Sequence, residues 1–509
     1  MKLKKIVIKN YKSIKELEFF PDAWLNAIIG ENSVWKSNIF NAINWLIWPM
    51  YPSFNSVMKQ DHWEWNDENK IFIELQYDNW SLLELNEHKE TVNRQNQIEI
   101  KSGLFYNHQD FNCKGEIRDQ YASAYLWTDR EILDYLPSNR WTLIWRILQQ
   151  INSNFQQETL SMQDSEGNIV NKKKTDLLKD ELAKIRDELL FSTWRTWGER
   201  NWLMDQFVNI LQTESAKQLN RDASSFSVDL SLYDPWNFYR TLQILVKEGD
   251  MDMQFQASSL WMGVQASITI AVLKAYAELN LPNKTPIFID EPELYLHPQA
   301  QRNFYNLLRE MTQDKFDADW VRIQEWLQIF YTTHSPNFLR TDKFNEIFIA
   351  TKNREKWTTL NYAKVSDFVL DLQVRKSVVT TPDVLLLHFK NAYENTGDSQ
   401  KANEAFFAKK IILVEWQSES LILPYLFELA WFDYIKEGVS IVRCGSKTEL
   451  DRFFRLYNEF WIPCFIIFDW DKQHHGTSDE AETILRNRAI FDLFWINQDW
   501  PDGSFSDRY

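Results

Sequence analysis

Glycine is scarce in this chain. Only 12 of the 509 residues are glycine, where ordinary usage would supply roughly 36. Backbone positions that need a positive φ must therefore fall in part to other residue types. Cysteine is scarcer still. Cys113, Cys444 and Cys464 form no CxxC pair, which argues against a disulfide framework or a cysteine zinc site and makes a reducing cytoplasm the expected compartment. No apolar run exceeds strand length, CFIIF at 464–468 being typical, so no membrane span is expected. The opening MKLKKIVIKNYKSI is basic but soon polar and periodic, unlike a secretory signal. Positive charge is also short. The net charge is -16, so any nucleic-acid contact must come from local basic surface or through bound metal ions.

What is abundant is tryptophan, 24 residues against 19 tyrosines. Many stand where turn chemistry asks for glycine: Trp24 before a strand, Trp357 between two strands, Trp461 between helix and strand. Others, Trp35, Trp261, Trp416 and Trp470, interrupt motifs. The pattern is that of a gene in which UGA codons, read as glycine by the host, were translated as tryptophan. The alternative is a tryptophan-rich protein that packs its indoles in the core, and Trp45, on the apolar face of a helix, fits that reading.

At 44% hydrophobic residues the chain is long enough for two or three domains. Residues 1–128 are strand-rich, with KKIVIKNY, IKELEFF, LNAII, IFIELQY and QIEIKSGLFY reading as strands around one helix. Residues 129–224 read as helical. Within them NKKKTDLLKDELAKIRDELL places Leu178, Leu182, Ile185 and Leu189 in a stripe, suited to dimerisation or equally to packing on its own domain. Strand and helix alternate again over 225–393, a linker is expected over 394–407, and a compact β/α alternation occupies 408–509. That last segment lacks a closing element and is expected to be truncated. Helices of this length between strands predict a small parallel sheet, so the fold class is α/β.

GENSVWKS, from Gly30 to Ser37, follows the strand LNAII and precedes the helix KSNIFNAINWLI. Strand, loop and helix in this order are the context of a phosphate-binding loop. Backbone amides of Gly30, Asn32 and Ser33 would surround phosphates, Lys36 would add a point charge, and Ser37 would reach Mg²⁺. Only Trp35, where glycine belongs, departs from the pattern. PIFIDEPELYLHP supplies the second half of such a site. Asp290 suits Mg²⁺, Glu291 suits activation of the attacking water, and His334 in TTHSP, after another strand, could sense a γ-phosphate.

In the last segment a strand ends at Glu415 with Glu419 one turn on, and another ends at Asp469 and Asp471. Parallel order would bring these four carboxylates to one sheet edge. Solvated loop acids are the plainer reading; their place at successive strand ends favours oxygen ligands for Mg²⁺ or Mn²⁺.

ASSLWMGVQASITIAVLKAYAEL, with Ser259, Gly263 and Gln265, resembles the signature element of ABC-type ATPases. With the loop, the Asp-Glu strand and the histidine, it resembles an ABC-type head of the SMC-like kind, which implies ATP as ligand and ATP-dependent dimerisation. Read with glycine at Trp416 and Trp470, the last segment resembles a TOPRIM domain. The two together resemble the OLD (overcoming lysogenisation defect) ATP-dependent endonucleases. The resemblance implies a homodimer, DNA as substrate, metal ligation by Glu415, Glu419, Asp469 and Asp471, and a role in phage defence or DNA processing. The family also uses a further basic residue, which the motifs do not place. A non-nucleolytic ATPase clamp, or an impaired homologue if the tryptophans are genuine, are the alternatives.

Overall fold

The computed structural model describes residues 2–22, 24–31, 36–47, 57–87, 90–92, 98–100, 103–106, 109–112, 121, 123–126, 143–163, 169–189, 245–247, 254–256, 259–278, 285–316, 320, 322–324, 326–353, 355, 357–376 and 380–494. Asn32, Ser33 and Trp35 of the phosphate loop lie outside the described residues, as does most of the expected helical segment beyond 189. Two compact units emerge: 1–129 with 282–509, and 130–281.

The first unit is built on a 12-stranded sheet. Its strands are β1 (Leu3–Tyr11), β2 (Ile14–Phe19), β3 (Leu25–Ile29), β4 (Phe72–Tyr77), β5 (Leu82–Asn86), β6 (Gly103–Tyr106), β7 (Gln109–Asn112) and β8 (Ala124–Leu126), then β11 (Ile287–Ile289), β12 (Ile329–Thr332), β13 (Ile347–Asn353) and β14 (Trp357–Tyr362). Their order is β8-β11-β12-β3-β13-β14-β2-β1-β4-β5-β6-β7. The five strands from β8 to β13 pair in parallel, and β13 onward is antiparallel. The parallel strands are continuous apolar runs because both faces are covered: LNAII and IFI are buried throughout. Helix α1 (Lys36–Ile47) covers one face. Ile39, Phe40, Ile43, Leu46 and Ile47 fall on one stripe and pack with Phe288, Phe330 and Phe348 of the sheet. Burying Phe40 alone contributes about 2–3 kcal/mol.

A second, three-stranded parallel sheet holds β15 (Lys410–Val414), β16 (Val439–Arg443) and β17 (Cys464–Ile467), in the order β16-β15-β17. It alternates with α9 (Gln417–Leu429), α10 (Lys447–Glu459) and α11 (Glu480–Phe491), as the alternation of strand and helix predicts. The expected linker is a correction. Residues 394–407 finish α7 (Pro382–Asn395) and form α8 (Ser399–Glu404) and a short 3-10 turn. The polar run hides a buried set, Ala402, Asn403, Ala405 and Phe406, which composition alone does not reveal.

In the second unit, α2 (Leu143–Gln157) is followed by a hairpin of β9 (Thr159–Gln163) and β10 (Ile169–Lys173), which was not expected in a helical stretch. The striped helix α3 therefore starts at Lys174 rather than Asn171, since Asn171 to Lys173 belong to β10. Leu178 and Leu182 are half-buried. The signature helix α4 (Met262–Glu278) also lies in this unit, where residues up to 281 were expected to divide at 224.

The tryptophans sort by backbone. Trp65, Trp80, Trp320, Trp357, Trp431 and Trp461 all have φ between 56° and 65°, the left-handed region that glycine favours. Trp431 is 97% exposed and Trp461 81%, so no packing of the ring accounts for the conformation. Trp63, by contrast, is buried, and Trp45 packs edge-on against Tyr11 on the core, with ring centroids 4.8 Å apart. Trp24, Trp261, Trp416 and Trp470 do not have a positive φ, so the backbone does not demand glycine there.

Candidate active sites

Three parallel strands converge on the first site. β3 leads into Gly30, whose φ is 143°; an added Cβ would lie 2.4 Å from the carbonyl oxygen of Ala350 on β13. Only glycine lets these strands approach so closely. From the start of α1, Lys36 turns back, buried, and donates from Nζ to the Gly30 carbonyl at 2.8 Å and the Glu31 carbonyl at 3.4 Å. Burial lowers its pKa to about 8, against the opposing pull of Glu291, Asp290 and Glu293.

β11 delivers Asp290, buried beside Ser37, whose hydroxyl donates to Oδ2 at 3.4 Å. The Thr332 hydroxyl at the end of β12 donates to Oδ1. A serine hydroxyl and a fixed carboxylate side by side fit a nucleotide-bound Mg²⁺. Glu291 follows with φ of 47°, an uncommon backbone for a glutamate. Its amide donates to Thr332 Oγ1 at 3.0 Å, which fixes the turn. His334 Nε2 sits 2.8 Å from Lys36 Nζ and 3.9 Å from the Glu291 carboxylate. Burial and then the Lys36 charge push its pKa down, so the neutral ring accepts the lysine proton's hydrogen bond. Gly30, Lys36, Ser37, Asp290, Glu291 and His334 are thus brought together in the structure. Ser259, Gly263 and Gln265 lie in the other compact unit, where Ser259 Oγ donates to Gln256 O and Gln265 Nε2 to Leu260 O, both at 2.7 Å.

Sequence reasoning missed Glu293. Its carboxylate accepts from the His334 amide at 2.5 Å and the Thr333 hydroxyl at 2.8 Å, and burial raises its pKa. It pins the histidine loop to the turn that carries Glu291. The signal was the second glutamate of DEPE, two residues past the catalytic candidate. Glu293→Ala is expected to lower ATP turnover about tenfold with little change in nucleotide affinity, since hydrogen bonds at a buried carboxylate contribute about 1.5–3 kcal/mol; steady-state kcat and KM measure it.

The second site lies at the C-terminal edge of the small sheet. Glu415, buried at the end of β15, accepts from the Asp469 amide at 3.3 Å. Burial raises its pKa, with Lys447 and that amide acting the other way. Asp469 Oδ1 accepts from the Asp471 amide at 3.2 Å. Asp471, at φ of 54°, accepts from Lys447 Nζ at 2.7 Å through Oδ2 and from Gln473 through Oδ1 at 3.1 Å. Although burial acts to raise it, the hydrogen bond and charge of Lys447 hold the Asp471 carboxyl below its usual range. Glu419 also caps α9: its Oε2 accepts from the Trp416 amide at 3.0 Å and from Ser418 Oγ at 3.1 Å. The donor chemistry, carboxylates without thiolate or imidazole, fits a hard divalent ion. Yet among the described residues no three acidic, histidine or cysteine side chains converge at metal-holding distance.

A phosphate loop, an Asp-Glu strand and a histidine strand on one sheet, with an acid-edged parallel sheet beside them, define a nucleotide-hydrolysing head joined to a TOPRIM domain. The chain belongs to the family of the AAA ATPase domain, whose model matches residues 1–114 and 82–339. Residues 406–471 match the overcoming lysogenization defect protein-like TOPRIM domain. The chain is similar to the OLD nuclease of Thermus scotoductus, 25% identical over 484 residues, covering 92% of this chain and 82% of that protein. It is also similar to the Old nuclease of Escherichia phage P2, 25% identical over 45% of this chain and 36% of that protein. The endonuclease GajA of Bacillus cereus is 26% identical over 31% of this chain and 22% of its own length. No helix among the described residues is long and apolar enough to cross a membrane.

Proposed function

We propose that the protein is a cytoplasmic, homodimeric endonuclease that binds and hydrolyses ATP with Mg²⁺ and cuts or nicks DNA with a divalent ion, Mg²⁺ or Mn²⁺, in phage defence or DNA processing. The observation that carries the proposal is the pairing of Glu415 with the Asp469 turn at the edge of a second parallel sheet in the same compact unit as the Lys36, Ser37 and Asp290 cluster. The nuclease-named relatives support the same reading.

At the first site Lys36 and the start of α1 hold phosphate, Ser37 and Asp290 hold the ion, and Glu291 orients water for attack on the γ-phosphate. His334, neutral and paired with Lys36, stands where that phosphate would arrive. At the second site Glu415, Asp469 and Asp471 would hold the ion, which when bound activates water and stabilises the leaving oxygen.

Regulation of cutting by ATP is supported by one buried residue. Asn403 of α8 accepts from the Thr341 amide at 3.0 Å and donates to the Leu339 carbonyl at 2.7 Å, both just past the His334 loop. The adjacent Ala402 carbonyl accepts from Tyr457 of α10 at 2.7 Å. Helix α8 thus touches both the histidine segment and the helix that begins at Lys447.

The test is conversion of supercoiled plasmid by the full chain bearing glycine at 35, 416 and 470. Cutting in Mn²⁺ that chelator stops supports the proposal. ATP turnover without any cutting would favour a non-nucleolytic clamp.

A further inference from the structure

Lys447 stands at the acidic edge beside Asp471 and has no part in the motifs read from the sequence. It opens α10 after its N-cap, Ser446, and its side chain is only 3% exposed. A buried ammonium is costly unless its charge is paired and its protons are bonded. Here Asp471 Oδ2 accepts at 2.7 Å and Asn487 Oδ1 at 2.9 Å. Asn487 is itself fully buried and returns from α11 to donate to the Trp470 carbonyl at 3.2 Å. The three residues pin the turn that carries Asp469 and Asp471. Both oxygens of Asp471 are bound, one by Lys447 and one by Gln473, and no three acids converge among the described residues.

We propose that Lys447 is the resident counter-cation of this edge: it holds Asp471 when no divalent ion is bound, and ion loading takes Asp471 from it. The inference rests on the reading of this edge as the nuclease metal site. A hard divalent ion requires several oxygen ligands, and here it competes with an ammonium for one of them. Removing the competing charge while keeping a side chain that bonds Asn487 strengthens ion binding.

The experiment is Mn²⁺ binding to the full chain, followed by electron paramagnetic resonance, with Asp469→Ala subtracting the nucleotide site. Lys447→Gln is expected to tighten the Asp469-dependent Mn²⁺ binding about tenfold, and Lys447→Arg, which keeps the charge, is expected to leave it as it was. A folded Lys447→Gln chain that binds Mn²⁺ no more tightly overturns the inference. No binding that Asp469→Ala removes, in any of these chains, overturns the metal-site reading itself. If Lys447→Gln does not fold, amine labelling of the unsubstituted chain decides. Lys447 protected without metal and labelled in saturating Ca²⁺ supports the exchange; protection in both contradicts it.

Discussion

Replacing Trp65, Trp80, Trp320, Trp357, Trp431 and Trp461 together by glycine is expected to stabilise the protein by about 5 kcal/mol. A left-handed backbone costs a residue with a side chain about 1–2 kcal/mol, and all six stand there. Glycine loses more backbone entropy on folding than a residue with a side chain, which offsets roughly half of that gain. The gain should be smallest at Trp357, whose ring stacks edge-on to Trp63 at 5.2 Å and lies under Lys352. It should be largest at Trp431, which is almost fully exposed. Trp63→Gly and Trp45→Gly are the controls; both rings pack into the protein, so both should destabilise. Denaturant unfolding of the six-glycine chain reads the result. Equal or lower stability would mean that the indoles are native, and the proposed recoding of UGA would fall with it.

Glu291→Gln is expected to lower ATP hydrolysis about 10²–10³-fold, the loss typical of a removed general base, with nucleotide binding retained. Glu291 is held by its own amide on Thr332 and lies 3.9 Å from His334. Glutamine keeps the shape but not the basicity. Binding should not weaken, because Asp290, Ser37 and Lys36 are untouched and one negative charge facing the phosphates is removed. Turnover and nucleotide affinity, measured on the same preparation, separate the two effects. Hydrolysis at the original rate would place the water-activating group elsewhere.

The head was legible because its signals are local. The strand LNAII and the stripe in KSNIFNAINWLI set β3 and α1 at the observed bounds, and a carboxylate pair after PIFI needs only a strand end to be placed. Glu415 and Asp469 were legible for the same reason. Glu293, Lys447 and Asn403 were not, since each acts through partners 40, 24 and 62 residues away. The second glutamate of DEPE marked Glu293 as a candidate without naming its partners, and nothing in the spacing of SKT or KANE announces the other contacts. The capping role of Glu419 went unread, although a glutamate in the first turn of a helix commonly serves as its cap. Asn403 was hidden by polar neighbours that read as a linker.

The measurement that tests the account most directly compares plasmid cutting and ATP turnover in one chain, with glycine at 35, 416 and 470, before and after Asp469→Ala. The account predicts that Mn²⁺-dependent cutting is lost while ATP turnover stays within about twofold. Undiminished cutting after Asp469→Ala would contradict it, because the acidic edge of the small sheet would then not be the place where DNA is cut.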